Sequence, residues 1–347
     1  MQKYKIIKRW NSKKFDTIID VRSPSEFEID HIVGAINCPI LYDEERHRVG
    51  TIYKQISSFK AKIIGSSISA KNISSHIEKE FLEKKGSWKP LVYCWRGGQR
   101  SKAFSIVLSE VGWRTYQLKG GYKEYRNDVI KYLDLIGMKI KIILVSGKTG
   151  SAKTKILQSI KDQGGQILDL EGLARHKGSL LGSIPSLKQP SQKLFESLLF
   201  YEIKKLNLKK HVFIEAESSK IGNIHIPKSI WSNMILSQRI EVVADVNTRA
   251  QFLINDYHYM CENPILIKPM IIGLTSRLSK TLIGSWKKLI DEKKWFELTK
   301  SFLENHYDSS YSSNTIKNDR KVLKEVQATT LNNDDIKNIA KIIINTK

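Results

Sequence analysis

Pro90–Trp113 reads PLVYCWRGGQRSKAFSIVLSEVGW. PLVYCW is a short apolar run of strand type. SKAFSIVLSEVGW then carries apolar residues at helical spacing, with Gly112 as a stop signal. Cys94 closes the strand, and Trp95, Arg96, Gly97, Gly98, Gln99 and Arg100 lead into the helix. The two glycines let the backbone curl so that several N–H groups point inward. The helix N-terminus adds a partial positive charge, and Arg96 and Arg100 add full ones. The result is an anion-binding bowl with a thiol at its base, an environment that favours a nucleophilic thiolate. Cys94 is the candidate catalytic residue. Trp95, Arg96, Gly97, Gly98 and Arg100 are the candidate anion loop. A buried structural cysteine at a strand end does not call for two Gly and two Arg within seven residues. Persulfide transfer and phosphate-ester hydrolysis both use a thiolate in a backbone cradle, and Cys-x5-Arg fits both.

On either side of this stretch the pattern repeats. DTIIDV (Asp16–Val21) is a second strand, and TYQLKGG (Thr115–Gly121) is a third, closed by a Gly-Gly turn. Strand–loop–helix–strand order implies a mostly parallel sheet covered by helices. YKEYRNDVIKYLDLIGM (Tyr122–Met138) reads as a charged helical connector. KIKIILVSG (Lys139–Gly147), HVFIEAES (His211–Ser218) and RIEVVADV (Arg239–Val246) are further strands, and TKILQSIKDQ (Thr154–Gln163) is a helix. Beyond about residue 250 the chain reads as helical, including SWKKLIDEKKWFELTKSFLENHY (Ser285–Tyr307). The tail from about Ser312 is polar with some helical periodicity. The expectation is an α/β chain of two domains, residues 1–130 and 131–347, the second with a helical C-terminal extension.

KIILVSGKTGSAKTKIL reads as strand, turn, helix. Gly147, Lys148, Thr149, Gly150, Ser151, Lys153 and Thr154 fall where a P-loop binds phosphate. There backbone N–H groups cradle the oxygens, Lys neutralises them and Thr holds magnesium. Ala152 stands where the pattern has its second Gly, which costs about 1 kcal/mol or more if φ is positive there. Glu215 and Glu217, at the end of the next strand, form a candidate acidic element for a magnesium-bound water.

The 347 residues carry 58 Lys+Arg against 35 Asp+Glu, a formal charge of +23. Neutralising phosphates is what such a surface does well, so a nucleic acid is the expected partner. The three cysteines, Cys38, Cys94 and Cys261, are too sparse for a disulfide framework and lack the C-x-x-C spacing of a zinc site, so no protein-ligated metal is assigned. No stretch approaches the ~20 apolar residues of a membrane helix. MQKYKIIKRWNSKKFD at the N-terminus has no apolar h-region. The reading is a cytoplasmic protein without a membrane partner.

DVRSPSEFEIDHIVGAINCPI (Asp20–Ile40) resembles the first block of the rhodanese family: Asp20 and Arg22, Glu26-Phe27, His31, Gly34-Ala35 and Asn37. Asp30 departs from it, standing where the family has Gly. A rhodanese-like domain carrying CWRGGQRS, followed by a P-loop NTPase-like domain, resembles the tRNA 2-selenouridine synthase family over nearly the whole chain. EERHRVGTIYKQ (Glu44–Gln55), DLEGLARHKGSLLG (Asp169–Gly182), QPSQKLFESLL (Gln189–Leu199), EAESSKIG (Glu215–Gly222) and HYDSSY (His306–Tyr311) look like further family blocks. The resemblance implies a transferase acting on 2-thiouridine at the wobble position of the tRNA anticodon. It would alkylate the sulfur from geranyl diphosphate, then displace it with selenophosphate. Cys94 would handle the selenium step, with Arg96 and Arg100 on selenophosphate. Lys153 and Thr154 would hold the donor diphosphate, with Mg2+ beside Thr154. Arg175 and His176 are candidates for phosphate or RNA contact. Trp231, Trp286, Trp295, Tyr307 and Tyr311 are candidates for base stacking, with core packing as the competing use. No protein partner is assigned. The readings that stay open are a persulfide sulfurtransferase acting on tRNA, a Cys-dependent phosphatase fused to a nucleotide-binding domain, and a non-catalytic RNA-binding protein.

Overall fold

Five short strands build the first sheet: β1 (Lys5–Ile7), β2 (Thr17–Asp20), β3 (Ala35–Asn37), β4 (Pro90–Tyr93) and β5 (Tyr116–Leu118). All pairs are parallel, in the order β1-β5-β4-β2-β3. The computed structural model describes residues 4–8, 10, 14–177, 187–216, 218–267, 271, 278–309 and 321–346. β4 lies at the centre with all four residues buried. A strand covered on both faces has no solvent side, which is why PLVY reads as a continuous apolar run.

The connecting helices are α1 (Pro24–Ile29), α2 (Asp43–Gln55), α3 (Ser58–His76), α4 (Gln99–Glu110) and α5 (Gly121–Ile136). Ile19, Val21, Val92, Phe104 and Leu108 pack with Phe81, Trp88 and Trp113 in one core cluster. Expected as a connector, α5 is an integral helix. It buries Tyr122, Tyr125, Val129 and Leu133 on one face, at the i, i+3, i+7, i+11 positions of an amphipathic stripe. Its many charges occupy the other face and hide that stripe from a composition reading.

The second sheet starts with β6 (Lys141–Ser146), α6 (Lys153–Asp162), β7 (Gln166–Leu168), α7 (Leu170–Ala174) and α8 (Gln192–Ile203). It continues with β8 (His211–Glu215), β9 (Lys220–Ile221), β10 (Ile224–His225), α9 (Lys228–Leu236), β11 (Arg239–Val243), α10 (Val246–Asp256) and α11 (His258–Glu262). The last elements are α12 (Lys280–Asp291), α13 (Trp295–Phe302), β12 (Val322–Gln327) and α14 (Asn333–Asn345). The sheet order is β12-β11-β6-β8-β7, again all parallel, and β9-β10 is a separate antiparallel pair. Ile156, Leu157 and Ile160 of α6 and Ile336, Ile339 and Ile343 of α14 share one core cluster with β6, β8 and β11. Among the described residues, helices follow one another from residue 250 to Tyr307, around a fully buried Trp286.

The C-terminal part is helical as expected, with one strand in it that the tail's pattern does not announce: β12 joins the sheet beside β11. VLKEVQ is an edge strand with Val326 as its one fully buried residue. Lys and Glu suit an edge exposed to water but mask the strand pattern.

The chain divides into two compact units, Met1–Leu133 with Pro190–Tyr201, and Asp134–Gln189 with Glu202–Lys347. The expected second domain, 131–347, therefore gives up Pro190–Tyr201 to the first unit. The reason lies in α8: Phe200 meets the rings of Tyr125 and Tyr132 at 6.2 and 5.0 Å, and Glu196 pairs with Arg126. Among the described residues no helix is long and apolar enough to cross a membrane.

Candidate active sites

Cys94 lies at the carboxyl end of β4, 3% exposed, on the floor of the loop that opens α4. The Gly98 N–H donates to its Sγ at 3.2 Å, and Ser101 Oγ lies 3.2 Å from the same sulfur. Both groups sit at the start of α4, so the sulfur faces a helix N-terminus with two polar neighbours. β5 braces the loop from the side: Gln117 Nε2 donates to the Gly97 carbonyl at 3.0 Å and to Ser101 Oγ at 2.8 Å. The turn at Gly120-Gly121 packs directly on the loop. Tyr122 N–H donates to the Cys94 carbonyl and Lys123 N–H to that of Trp95, both at 2.9 Å. Gly121, at φ +56, admits no side chain, because a Cβ would overlap the Cys94 carbonyl oxygen. Gly97, at φ +66, would place a Cβ 2.5 Å from the Leu118 carbonyl. Those two glycines set the close approach of the backbones.

Around this floor one loop cation, Arg100, is already paired. Arg100 Nη1 donates to Glu26 Oε2 at 2.8 Å, and Arg46 Nε stands 3.0 Å from the same oxygen. Burial pushes the Glu26 carboxyl up, but the Arg100 hydrogen bond and the charges of Arg100 and Arg46 outweigh it and hold it below the usual carboxylate range. Arg96 and Gly98 are exposed on the rim, and Trp95, 38% exposed, packs against Tyr122 at 5.2 Å.

Asp30 adds something the sequence pattern does not suggest. Its backbone is extended at φ −172, so the Gly-to-Asp change carries no backbone strain. The effect is in the side chain, which is fully buried and accepts from Tyr122 Oη at 2.7 Å, with Arg126 3.8 Å away. Burial raises its carboxyl above the usual range against the pull of those partners. Asp20 and Arg22 form a buried pair nearby, with Arg22 Nη2 2.6 Å from Asp20 Oδ2 and the guanidinium 4.0 Å from the Tyr122 ring centre.

In the second unit, Gly147–Ala152 leave the end of central β6 and enter α6, the strand–turn–helix order of a phosphate loop. Ala152 sits at φ +56, ψ +23, the left-handed region that the missing glycine would occupy without cost. Ser151 Oγ donates to the Lys148 carbonyl at 2.8 Å, and Lys153 Nζ folds back to the Gly147 carbonyl at 3.1 Å. Thr154 Oγ1 lies 3.1 Å from Glu215 Oε2 and 3.3 Å from Glu171 Oε2. Lys153 Nζ is 3.6 Å from Glu215 Oε1. A hydroxyl with two buried carboxylates is an oxygen donor set that suits Mg2+. Glu217, the other member of the expected acidic element, lies outside the described residues, as does Tyr311.

Arg249 ties this loop to the helical part. Its guanidinium donates to the Thr149 carbonyl at 3.0 Å and makes a two-point pair with Asp308 at 3.0 and 2.8 Å, while Lys148 Nζ reaches Asp308 at 3.2 Å. Beside Thr149 opens an apolar cavity, lined also by Leu253, Tyr257, Cys261, Leu298 and Phe302. The candidate phosphate loop thus borders a hydrocarbon-lined space.

Several sequence candidates fall elsewhere. Trp286 is fully buried and packs edge-on against Phe302 at 4.4 Å, so it is a core residue and takes no part in stacking. Trp295 and Tyr307 line the apolar cavity. Arg175 caps α7 in the left-handed conformation, and burial lowers the basicity of His176. Burial pushes the Cys38 thiol up to about 12, as expected of a core cysteine. Glu171, Arg249 and Asp308 are not singled out by sequence. Glu171 and Asp308 lie within quoted blocks, but nothing in their spacing says that they converge on the loop.

Two family models match the chain: the rhodanese-like domain over residues 4–128, and the tRNA 2-selenouridine synthase AAA domain over residues 140–289. A tRNA 2-selenouridine synthase from Nitrosomonas europaea is 36% identical over 244 residues, 69% of this chain and 63% of that protein. Those of Nitrosomonas eutropha and Bdellovibrio bacteriovorus are also 36% identical, over 251 and 252 residues, covering 69% of this chain and 62% and 64% of theirs. The match thus spans less than two thirds of these relatives' own length. The chain thus carries in succession a rhodanese-like domain and the AAA domain of tRNA 2-selenouridine synthases, and it is similar over both to relatives of that one name.

Proposed function

We propose that this protein converts 2-thiouridine at the tRNA wobble position into 2-selenouridine through an S-geranyl intermediate, with geranyl diphosphate and selenophosphate as co-substrates. The observation that carries the reading is Thr149, which belongs both to the phosphate loop and to the wall of the apolar cavity. A ligand with a diphosphate head and a hydrocarbon tail matches both halves.

In the first step the geranyl C1–oxygen bond breaks, a C1–sulfur bond forms on the base, and diphosphate leaves. Lys153 and the loop N–H groups neutralise the charge that develops on the leaving group. A magnesium ion held by Thr154, Glu215 and Glu171 would add to that neutralisation. The cavity keeps water from the allylic centre. In the second step the selenium of selenophosphate forms a bond to C2 of the base, the C2–sulfur bond breaks and geranyl thiol leaves, and water cleaves the selenium–phosphorus bond to release phosphate. An alkylated sulfur leaves more readily than a thiocarbonyl sulfur. Cys94 handles selenium here, with Arg96 and Arg100 binding the phosphoryl oxygens by charge-assisted hydrogen bonds. The phosphatase reading is the weaker one. It needs a protonated carboxyl beside the thiol, and Glu26, bound to the loop through Arg100, is held ionised.

The test is mass analysis of nucleosides after incubating the protein with 2-thiouridine tRNA, geranyl diphosphate and selenophosphate. Wild type yields 2-selenouridine. Cys94→Ser cuts it by about a hundredfold or more while the geranylated nucleoside still forms. If wild type yields neither product, the proposal fails.

A further inference from the structure

The first unit carries a feature with no role in either step. α2 and α3 form a two-helix arm that contributes little to the core: α2 buries no residue, and α3 buries only Ala61 before Asn72. At the joint between the two helices, large apolar side chains face water. Tyr53 is 57% exposed, Ile56 66%, Phe59 71% and Ile63 56%. Phe59 and Ile63 are one turn apart, so they share a face of α3.

Past its first turn, which holds Asp43, Glu44 and Glu45, the charge of this arm is one-sided. From Arg46 to Ile77 the chain has Arg46, Arg48, Lys54, Lys60, Lys62 and Lys71 and not one Asp or Glu. Tyr53 and Phe59 each have a lysine as their next residue. The arm also starts at the thiol loop, because Arg46 in the first turn of α2 shares Glu26 with Arg100.

We infer that the α2–α3 arm is an RNA-binding surface, on which unpaired bases stack on Tyr53 and Phe59 while the lysines and Arg48 neutralise the adjoining phosphates. Exposed aromatics interleaved with cations are the pattern that single-stranded RNA needs. Every base offers a π-face, and every linkage carries one negative charge. A protein partner would favour an apolar patch without so many lysines at its centre. The inference rests on the tRNA reading above and deepens it: the arm would hold the anticodon loop next to Cys94.

The experiment is tRNA binding by the full-length protein, followed by fluorescence anisotropy at several salt concentrations. The variants are Tyr53→Ala/Phe59→Ala and Lys54→Gln/Lys60→Gln/Lys62→Gln. All five side chains are exposed, and melting curves check that the variants fold. The aromatic pair is expected to lose about tenfold or more in affinity with an unchanged salt slope. The lysine triple is expected to reduce the slope of log K against log salt by about 2. If wild type binds tRNA and both variants bind as wild type does, the arm proposal is overturned while the tRNA reading stands. The arm proposal falls in that case even if the aromatic variant dissociates a dimer in sedimentation or leaves phosphatidylserine vesicles. If wild type binds no tRNA at all, both readings fall together.

Discussion

Arg100 and Arg46 meet on a single oxygen of Glu26, at 2.8 and 3.0 Å. One carboxylate therefore ties the cation of the thiol loop to the base of α2. Of the two arginines only Arg100 is well covered, with Arg46 half exposed, so the Arg100 contact is the stronger of the two.

Glu26→Gln should lower stability by about 1 kcal/mol at neutral pH. The folded-state carboxyl titrates below its ordinary 4.5. The stabilisation is then complete above that value and lost as pH falls through the folded-state value. Thermal melts of wild type and variant between pH 7 and pH 3 should converge at the acid end. A gap that stays constant to pH 3 would show that the pair contributes nothing through charge.

Asp30→Asn should act in the opposite sense. Burial raises the Asp30 carboxyl above its ordinary 3.8, so its contribution is full below that value and is lost as pH rises through the folded-state value. The amide keeps an oxygen for the Tyr122 hydroxyl and removes the buried charge. The variant is expected to melt about 2–4 °C above wild type at pH 7, with the difference shrinking toward pH 4. A lower melting point at pH 7 would mean that Arg126 compensates the charge in full.

Ala152→Gly sets two terms against each other. Relief of the left-handed backbone at φ +56 is worth about 1–2 kcal/mol, and the lost burial of one methyl group costs about 0.8 kcal/mol. The net change should be within about 1 kcal/mol of zero, with diphosphate affinity kept. Ala152→Val brings a β-branched side chain to the same backbone and should cost about 2 kcal/mol or more. Urea unfolding of the three proteins checks the order, and a valine variant as stable as wild type would contradict it.

Cys261 reports on the apolar cavity. It lines that space, is only partly exposed, and its thiol is pushed up by burial and by Glu262. Geranyl diphosphate should slow its alkylation by N-ethylmaleimide about tenfold, while inorganic diphosphate should not, because only the tail fills the cavity. Site-resolved mass analysis gives both rates. Equal protection by the two ligands would place the tail elsewhere.

Much of the scaffold is legible in the sequence because it is written locally. PLVYCW and KIILVSG announce central strands, and each is followed by a glycine-containing turn whose chemistry names its ligand type. The phosphate-loop pattern alone marks Ala152 for a positive φ, since the requirement belongs to the turn and not to the residue in it. What stays illegible depends on contacts distant in sequence. Glu171 and Glu215 meet over Thr154 only because β7, β8 and β6 lie side by side. Arg249 and Asp308 are 59 positions apart. β12 escapes a pattern reading because an edge strand has no apolar face to display. α8 reads as part of the second domain because its partners lie about 70 residues upstream.

The placement of α8 also bears on how the chain is made. The first unit lacks Glu196 and Phe200 until synthesis has reached residue 201. At about 5–20 residues per second, that is roughly 3–14 s after Leu133 has been added. By then β6 and β7 have been synthesised, but β8, the strand that pairs with both, has not. The nascent chain passes through an interval with one unit short of its closing helix and the other holding two unpaired strands. That is the stretch of synthesis at which a chaperone would have most to shield.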